Sequence, residues 1–181
     1  MLYKISCHDN DLYFFDEGEF KRCPECNELL DKWNEDLSNT KISKRLKADI
    51  SCSYDGVTVV SSRFKDVCEA NELTGLNFYQ LNNDYYWILP DSVIRFDSGR
   101  KGLIFEEKCS ECNNYESVVG ASPVVLLESS IRKGNFAKTD LEFASNDEKH
   151  PLIICDEKAY SVLSKSDLKG LLITKIEQTF N

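Results

Sequence analysis

Two short turns, Cys23-Pro24-Glu25-Cys26-Asn27 and Cys109-Ser110-Glu111-Cys112-Asn113, constrain this chain more than any other feature. Each sets two thiols three residues apart, with Glu before the second Cys and Asn after it. A tight turn of this kind lets both sulfurs face one ion while backbone amides face the sulfurs. It calls for a left-handed residue, and Asn enters that region more easily than anything but Gly. A structural zinc site takes four ligands in a tetrahedron, so Cys23, Cys26, Cys109 and Cys112 are the expected ligands of one structural Zn2+ per chain. The pairs are separated by 82 residues, whereas compact zinc ribbons leave about 15–20. Either the second pair returns in space to the first, or each acts alone. Redox pairs and unrelated thiols are the competing readings, and Cys23 precedes an expected helix, where an oxidoreductase thiol would sit.

At 181 residues, 41% hydrophobic and 29% charged, the chain is long enough for one domain with a substantial core. Its start reaches acidic residues before any apolar run of useful length, and its longest apolar runs are too short to span a membrane. A cytoplasmic protein with no membrane partner is the expectation. A reducing compartment argues against disulfides among the eight cysteines. On this reading Cys7-His8 is an incidental pair, Cys68 and Cys155 are small buried apolar residues, and Cys52 has no assigned role. The formal charge of −9 suits a basic protein partner better than a polyanion. The one basic cluster, Lys41, Lys44, Arg45 and Lys47, reads as a solvated face, so nucleic acid is not an expected partner.

Periodicity predicts a mixed α+β single domain, residues 1–181, with a zinc-ribbon-like site of four cysteines. Its zinc lobe would combine about 20–38, including an amphipathic helix over 28–37 carrying Leu29, Leu30, Trp33 and Leu37, with about 103–120. Two strand–helix–strand units are expected at about 57–81 and 152–177, related by a constant offset of 95 residues. That offset brings Ser61 onto Asp156, both good N-caps, and Gly75 onto Gly170 beyond each helix. A strand is expected near Tyr3–Ser6. Hairpins are expected around 82–84 and around 98–102, the latter pairing 92–96 with 103–107, and 115–119 would return from the second CxxC turn. Val124–Leu127 reads as a strand, and Phe136–Phe143 as a docked loop exposing Asp140 and Glu142.

No Walker loop, GxSxG elbow, HExxH or dinucleotide fingerprint is present, and neither His8 nor His150 sits in a motif. Four cysteines close the coordination sphere of zinc, which is the structural arrangement. The two CxxC turns, the Leu-x-Gly-Leu units and Phe136-Ala-Lys-Thr-Asp-Leu-Glu-Phe143, in that order, resemble the double-CXXCG motif family. These are bacterial proteins, several classed as immunity proteins of contact-delivered or polymorphic toxin systems. Asn27 and Asn113 stand where that family has glycine. The resemblance implies a non-enzymatic partner of a cognate toxin encoded nearby, which the −9 charge suggests is basic, and carries over no catalytic residue. The alternative is a zinc-ribbon adaptor or regulator acting on nucleic acid or transcription machinery, for which Lys41–Lys47 is the support. Asp84 with Tyr85 and Tyr86, and Asp140 and Glu142 with Phe143, are the candidate contact patches.

Overall fold

A computed structural model describes all residues except 17, 39, 41, 43–45, 128–130 and 180–181, and the side chains of 178–179. The basic cluster at 41–47 falls largely outside the described residues. In chain order the strands are β1 (Leu2–Cys7), β2 (Ile50–Cys52), β3 (Thr58–Ser61), β4 (Leu76–Gln80), β5 (Tyr85–Pro90), β6 (Ser92–Ile94) and β7 (Ile104–Lys108). They continue as β8 (Tyr115–Val119), β9 (Val125–Leu126), β10 (Phe136–Ser145), β11 (His150–Asp156), β12 (Leu171–Lys175) and β13 (Gln178–Thr179). Helix α1 (Ser62–Ala70) follows β3 and helix α2 (Glu157–Leu163) follows β11. The described chain is thus mostly strand with two helices. One sheet runs β12-β1-β11-β10-β8-β7, with β6 also on β10, and a second runs β2-β3-β5-β4.

The two strand–helix–strand segments are built alike. Ser61 Oγ accepts from Phe64 N and Asp156 Oδ1 from Ala159 N, capping α1 and α2. Beyond each helix the chain turns through a left-handed residue, Glu72 (φ 52°) and Asp167 (φ 49°), and then through Gly75 (φ 95°) and Gly170 (φ 83°). The apolar positions match too, because Phe64, Cys68 and Leu73 are buried in one core with Ala159, Leu163 and Leu168.

The likeness extends well past these segments. In both sheets an antiparallel strand is inserted between the strands that flank the helix, β5 between β3 and β4, and β1 between β11 and β12. Their registers agree: Tyr86 pairs with Val60 as Tyr3 pairs with Cys155, and Ile88 pairs with Phe78 as Ile5 pairs with Ile173. On the other side Ile50 pairs with Val60 as Phe136 pairs with Cys155. Read in chain order, each repeat is a strand (β1 or β5), a CxxC turn, a strand (β2 or β10), then strand–helix–strand. Each repeat lends its first strand to the sheet of the other.

Contacts between the repeats are reciprocal, as in a two-fold interface where residue i meets j and j meets i. Asp49 N donates to Lys169 O (2.8 Å) and Lys169 N to Asp49 Oδ2 (2.9 Å). At the matched places Asn135 N donates to Thr74 O (2.7 Å) and Thr74 N to Asn135 Oδ1 (3.0 Å). Arg63 on α1 reaches Ser166 O beyond α2, and Lys158 on α2 reaches Glu72 O beyond α1. The glycines let these strands approach. A Cβ on Gly75 would stand 3.1 Å from Lys133 O, and one on Gly170 would run into Ile50 O and Ala48.

Several local expectations are corrected. No helix forms over 28–37. Leu30 N donates to Lys21 O, so the chain returns from its CxxC turn as a hairpin, and left-handed Asp31 then leads into a single 3-10 turn, Lys32–Asn34. Leu29 and Leu37 are buried all the same, which is why the pattern resembled a helix face. The hairpin expected around 98–102 does not form, since β6 lies parallel to β10 while β7 pairs with β8. Phe136–Phe143 is part of the long strand β10 and not a loop. Phe143 and Tyr85 are buried, so neither patch proposed around them presents those rings.

Candidate metal centre

Both CxxC turns fold into the same backbone knuckle. Asn27 N donates to Cys23 O (2.9 Å) and Cys23 N to Glu28 O (2.8 Å); Asn113 N donates to Cys109 O (3.1 Å) and Cys109 N to Asn114 O (2.8 Å). Asn27 and Asn113 both take the left-handed conformation at φ 62°, the backbone state that Asn enters more easily than any residue but Gly. Arg22 bridges Leu29 across the first knuckle as Lys108 pairs with Tyr115 across the second. The first is a hairpin reduced to one bridge, and the second carries the full strands β7 and β8.

The reciprocal packing of the repeats sets the two knuckles face to face. Cys23 Sγ lies 3.8 Å from its mate Cys109 Sγ, and Cys26 Sγ 3.6 Å from its mate Cys112 Sγ. All four sulfurs fall within 4.8 Å of one another. A tetrahedron of sulfurs about 2.3 Å from a central ion has edges of about 3.8 Å, so the four thiols fit one metal ion. The long gap between the pairs now has its reason: each repeat supplies one knuckle, and a repeat's length separates them.

Electrostatics agrees with the fit. The Cys23 thiol is drawn down to about 7 by the backbone N–H of Cys26, and that of Glu25 adds to the effect. Cys26 is exposed, and although the N–H of Glu28 favours its thiolate, the local loss of hydration and its three sulfur neighbours push it up to about 12. Burial likewise raises Cys112, against the N–H of Asn114. Four thiols this close cannot all ionise alone, whereas a bound dication favours the thiolate at every one.

The first knuckle is mounted by polar side chains that the sequence did not single out. Asp147 accepts from Arg22 Nη1 (2.7 Å) and from Leu29 N (3.0 Å). Lys32 Nζ donates to Asp147 O and Lys149 O, and burial draws its amine down to about 8. Lys149 forms a buried ion pair with Glu28 and donates to Tyr115 O on β8. These partners lie more than 100 residues from the first knuckle, and no local spacing announces them.

The remaining cysteines divide into two kinds. Cys68 and Cys155 are buried, and burial pushes both thiols up to about 12. Cys7 and Cys52, expected to be unbridged, form a disulfide with a Cα–Cα distance of 5.8 Å. Strand ends 45 residues apart meet where the two sheets abut, which residue spacing alone could not show. Asp140 and Glu142 are engaged separately: Asp140 accepts from Phe96 N and Glu142 from the Trp33 indole. No described helix is long and apolar enough to cross a membrane.

Fold and site together define a class: an internal pseudo-dimer with exchanged first strands and a four-thiol centre between its repeats. No protein-family model matches the chain, and no curated protein matches it.

Proposed function

We propose that the chain is a zinc-stabilised immunity protein that neutralises a cognate bacterial toxin by binding it, without catalysis of its own. The observation that carries the metal half is the closed four-thiol centre, in which matched knuckles supply every ligand and leave no position for a substrate. The toxin half rests on the resemblance to the double-CXXCG proteins and on the −9 charge. An acidic protein binds the basic face of a nucleic-acid-directed toxin quickly, through an attraction that weakens as salt rises. Among exposed aromatics, the rings of Tyr13 and Tyr54 lie 5.1 Å apart at a tilt of 36°, with Tyr54 Oη donating to Asp11. This pair, rather than Tyr85 or Phe143, is the first to change when mapping contacts. The test is co-expression with the product of the adjacent gene. Survival only when this chain is present supports the reading, and equal killing with and without it overturns it.

A further inference from the structure

We propose that Cys7–Cys52 is a thiol–disulfide exchange site through which low-molecular-weight thiols set how firmly the chain holds its metal. The proposal rests on the metal half of the reading above and is independent of any toxin. The bridge closes a segment, residues 8–51, that carries Cys23 and Cys26, half of the ligand set.

Comparison of the repeats shows that the fold does not need this bridge to place a knuckle. Strand registers put Pro90 where Cys7 stands and Lys138 where Cys52 stands. The second knuckle is held instead by β-pairing, with β7 on β8 and β8 on β10. The bridge therefore belongs to the knuckle that lacks a sheet. It is also reachable. Both cysteines are half-buried and line an open cleft of about 330 Å3 with Lys4, Tyr54, Thr58 and His150. Cys68 and Cys155, by contrast, lie in the core.

A small thiolate attacks one sulfur of the bridge, forms a mixed disulfide and expels the other sulfur as a thiolate. A second small thiol then attacks the mixed disulfide. The chain gains two electrons and two protons as two thiols, and two small thiols leave as one disulfide. Backbone bonds from Asn10 N to Cys52 O (2.8 Å), Cys52 N to His8 O (2.9 Å) and Tyr54 N to Leu12 O (3.0 Å) remain. Opening thus loosens the base of the knuckle segment without unfolding it.

The test uses the full chain loaded with Zn2+ and equilibrated across glutathione to glutathione-disulfide ratios. Alkylation with mass spectrometry reads the state of Cys7 and Cys52, a chromogenic chelator reads metal release, and hydrogen exchange reads residues 8–51. The opened form is expected to release Zn2+ about tenfold faster than the bridged form, with faster exchange over 8–51, because closing a loop restricts its open states. The Cys7→Ser/Cys52→Ser double variant should release at the fast rate in every buffer. Equal release from both forms, a bridge that stays closed at every ratio, or a double variant that keeps the redox dependence would each overturn the proposal. A chain that takes up no Zn2+ overturns the metal reading together with it, whereas full uptake with unaltered release overturns this proposal alone.

Discussion

The first and second repeats place the same knuckle by different means. Between β2 and β3 the first repeat has five residues, 53–57, whereas the second has fourteen between the matched points Lys138 and Ile153. The extra residues lengthen β10 to Ser145, where Ala144 pairs with Val118 on β8. That pairing makes the second knuckle hairpin part of the larger sheet. The first has no such strand and is held by buried ionic side chains and a disulfide. Backbone ladders tolerate most single side-chain changes, while buried charges are sensitive to the loss of either partner. One knuckle is therefore robust and the other conditional.

The largest effect should ignore that asymmetry. Cys23→Ser and Cys109→Ser each remove one ligand from a shared centre, and metal binding adds directly to folding free energy. Both variants should melt about 10 °C or more below the parent, by about the same amount, and a chelator should do the same to the parent. Unequal losses, or an unchanged melting curve for either variant, would show that the knuckles do not share one ion.

Next in size is a change that separates the repeats. Lys149→Ala leaves the Glu28 carboxylate buried without its partner and should cost about 3–5 kcal/mol in urea unfolding. Hydrogen exchange should rise over 20–38 far more than over 104–119. Glu28→Leu combined with Lys149→Met removes both charges and should recover most of the loss. Equal loosening of both knuckles would remove the distinction drawn between their mounts.

What the sequence revealed and concealed follows the same division. Knuckle chemistry is local, so Cys spacing and the two Asn residues are legible. Caps and left-handed turns are local as well, which is why the offset of 95 stands out from Ser61/Asp156 to Gly75/Gly170. The offset of 86 that relates Cys23 to Cys109 also relates Ile50 to Phe136. The nine-residue insertion separates the two offsets and hides that they belong to one repeat. Strand exchange is non-local and leaves no periodicity to find. Over 28–37 the spacing of Leu29, Trp33 and Leu37 imitates a helix, but hairpin return and left-handed Asp31 decide the backbone. The Cys7–Cys52 bridge joins strand ends that only the packed sheets bring together.

A smaller effect probes the close approach between repeats. Gly75→Val and Gly170→Val each force a β-branched residue to positive φ and should cost about 1–3 kcal/mol. Gly170→Val should cost more, since its Cβ would meet both Ile50 O and Ala48, whereas Gly75 has slightly more room. Equal and negligible losses by denaturant titration would mean that the strands can separate at these points without consequence.

The smallest predicted effect exchanges the chemistry of the two reciprocal contacts. Asp49 takes a hydrogen bond from Ser61 Oγ (2.8 Å) and one from Lys169 N (2.9 Å). Asn135 donates to Asp156 Oδ2 (2.9 Å) and accepts from Thr74 N (3.0 Å). Asp49→Asn keeps an oxygen for Lys169 N and can turn its amide to Ser61 Oγ. It loses an exposed ion pair with Arg63 (3.3 Å), so the cost should stay under about 1 kcal/mol. Asn135→Asp is different, because it sets a second carboxylate against Asp156 and should cost about 1–2 kcal/mol at neutral pH. The facing carboxylates raise the folded-state affinity for a proton above that of the unfolded chain. Folding then binds a proton, and the deficit should shrink as pH falls through the raised value. Denaturant titrations from pH 7 to 4 check this directly. If Asp49→Asn were the more damaging change, or if the Asn135→Asp deficit did not narrow at acid pH, the two contacts would not be equivalents of one another.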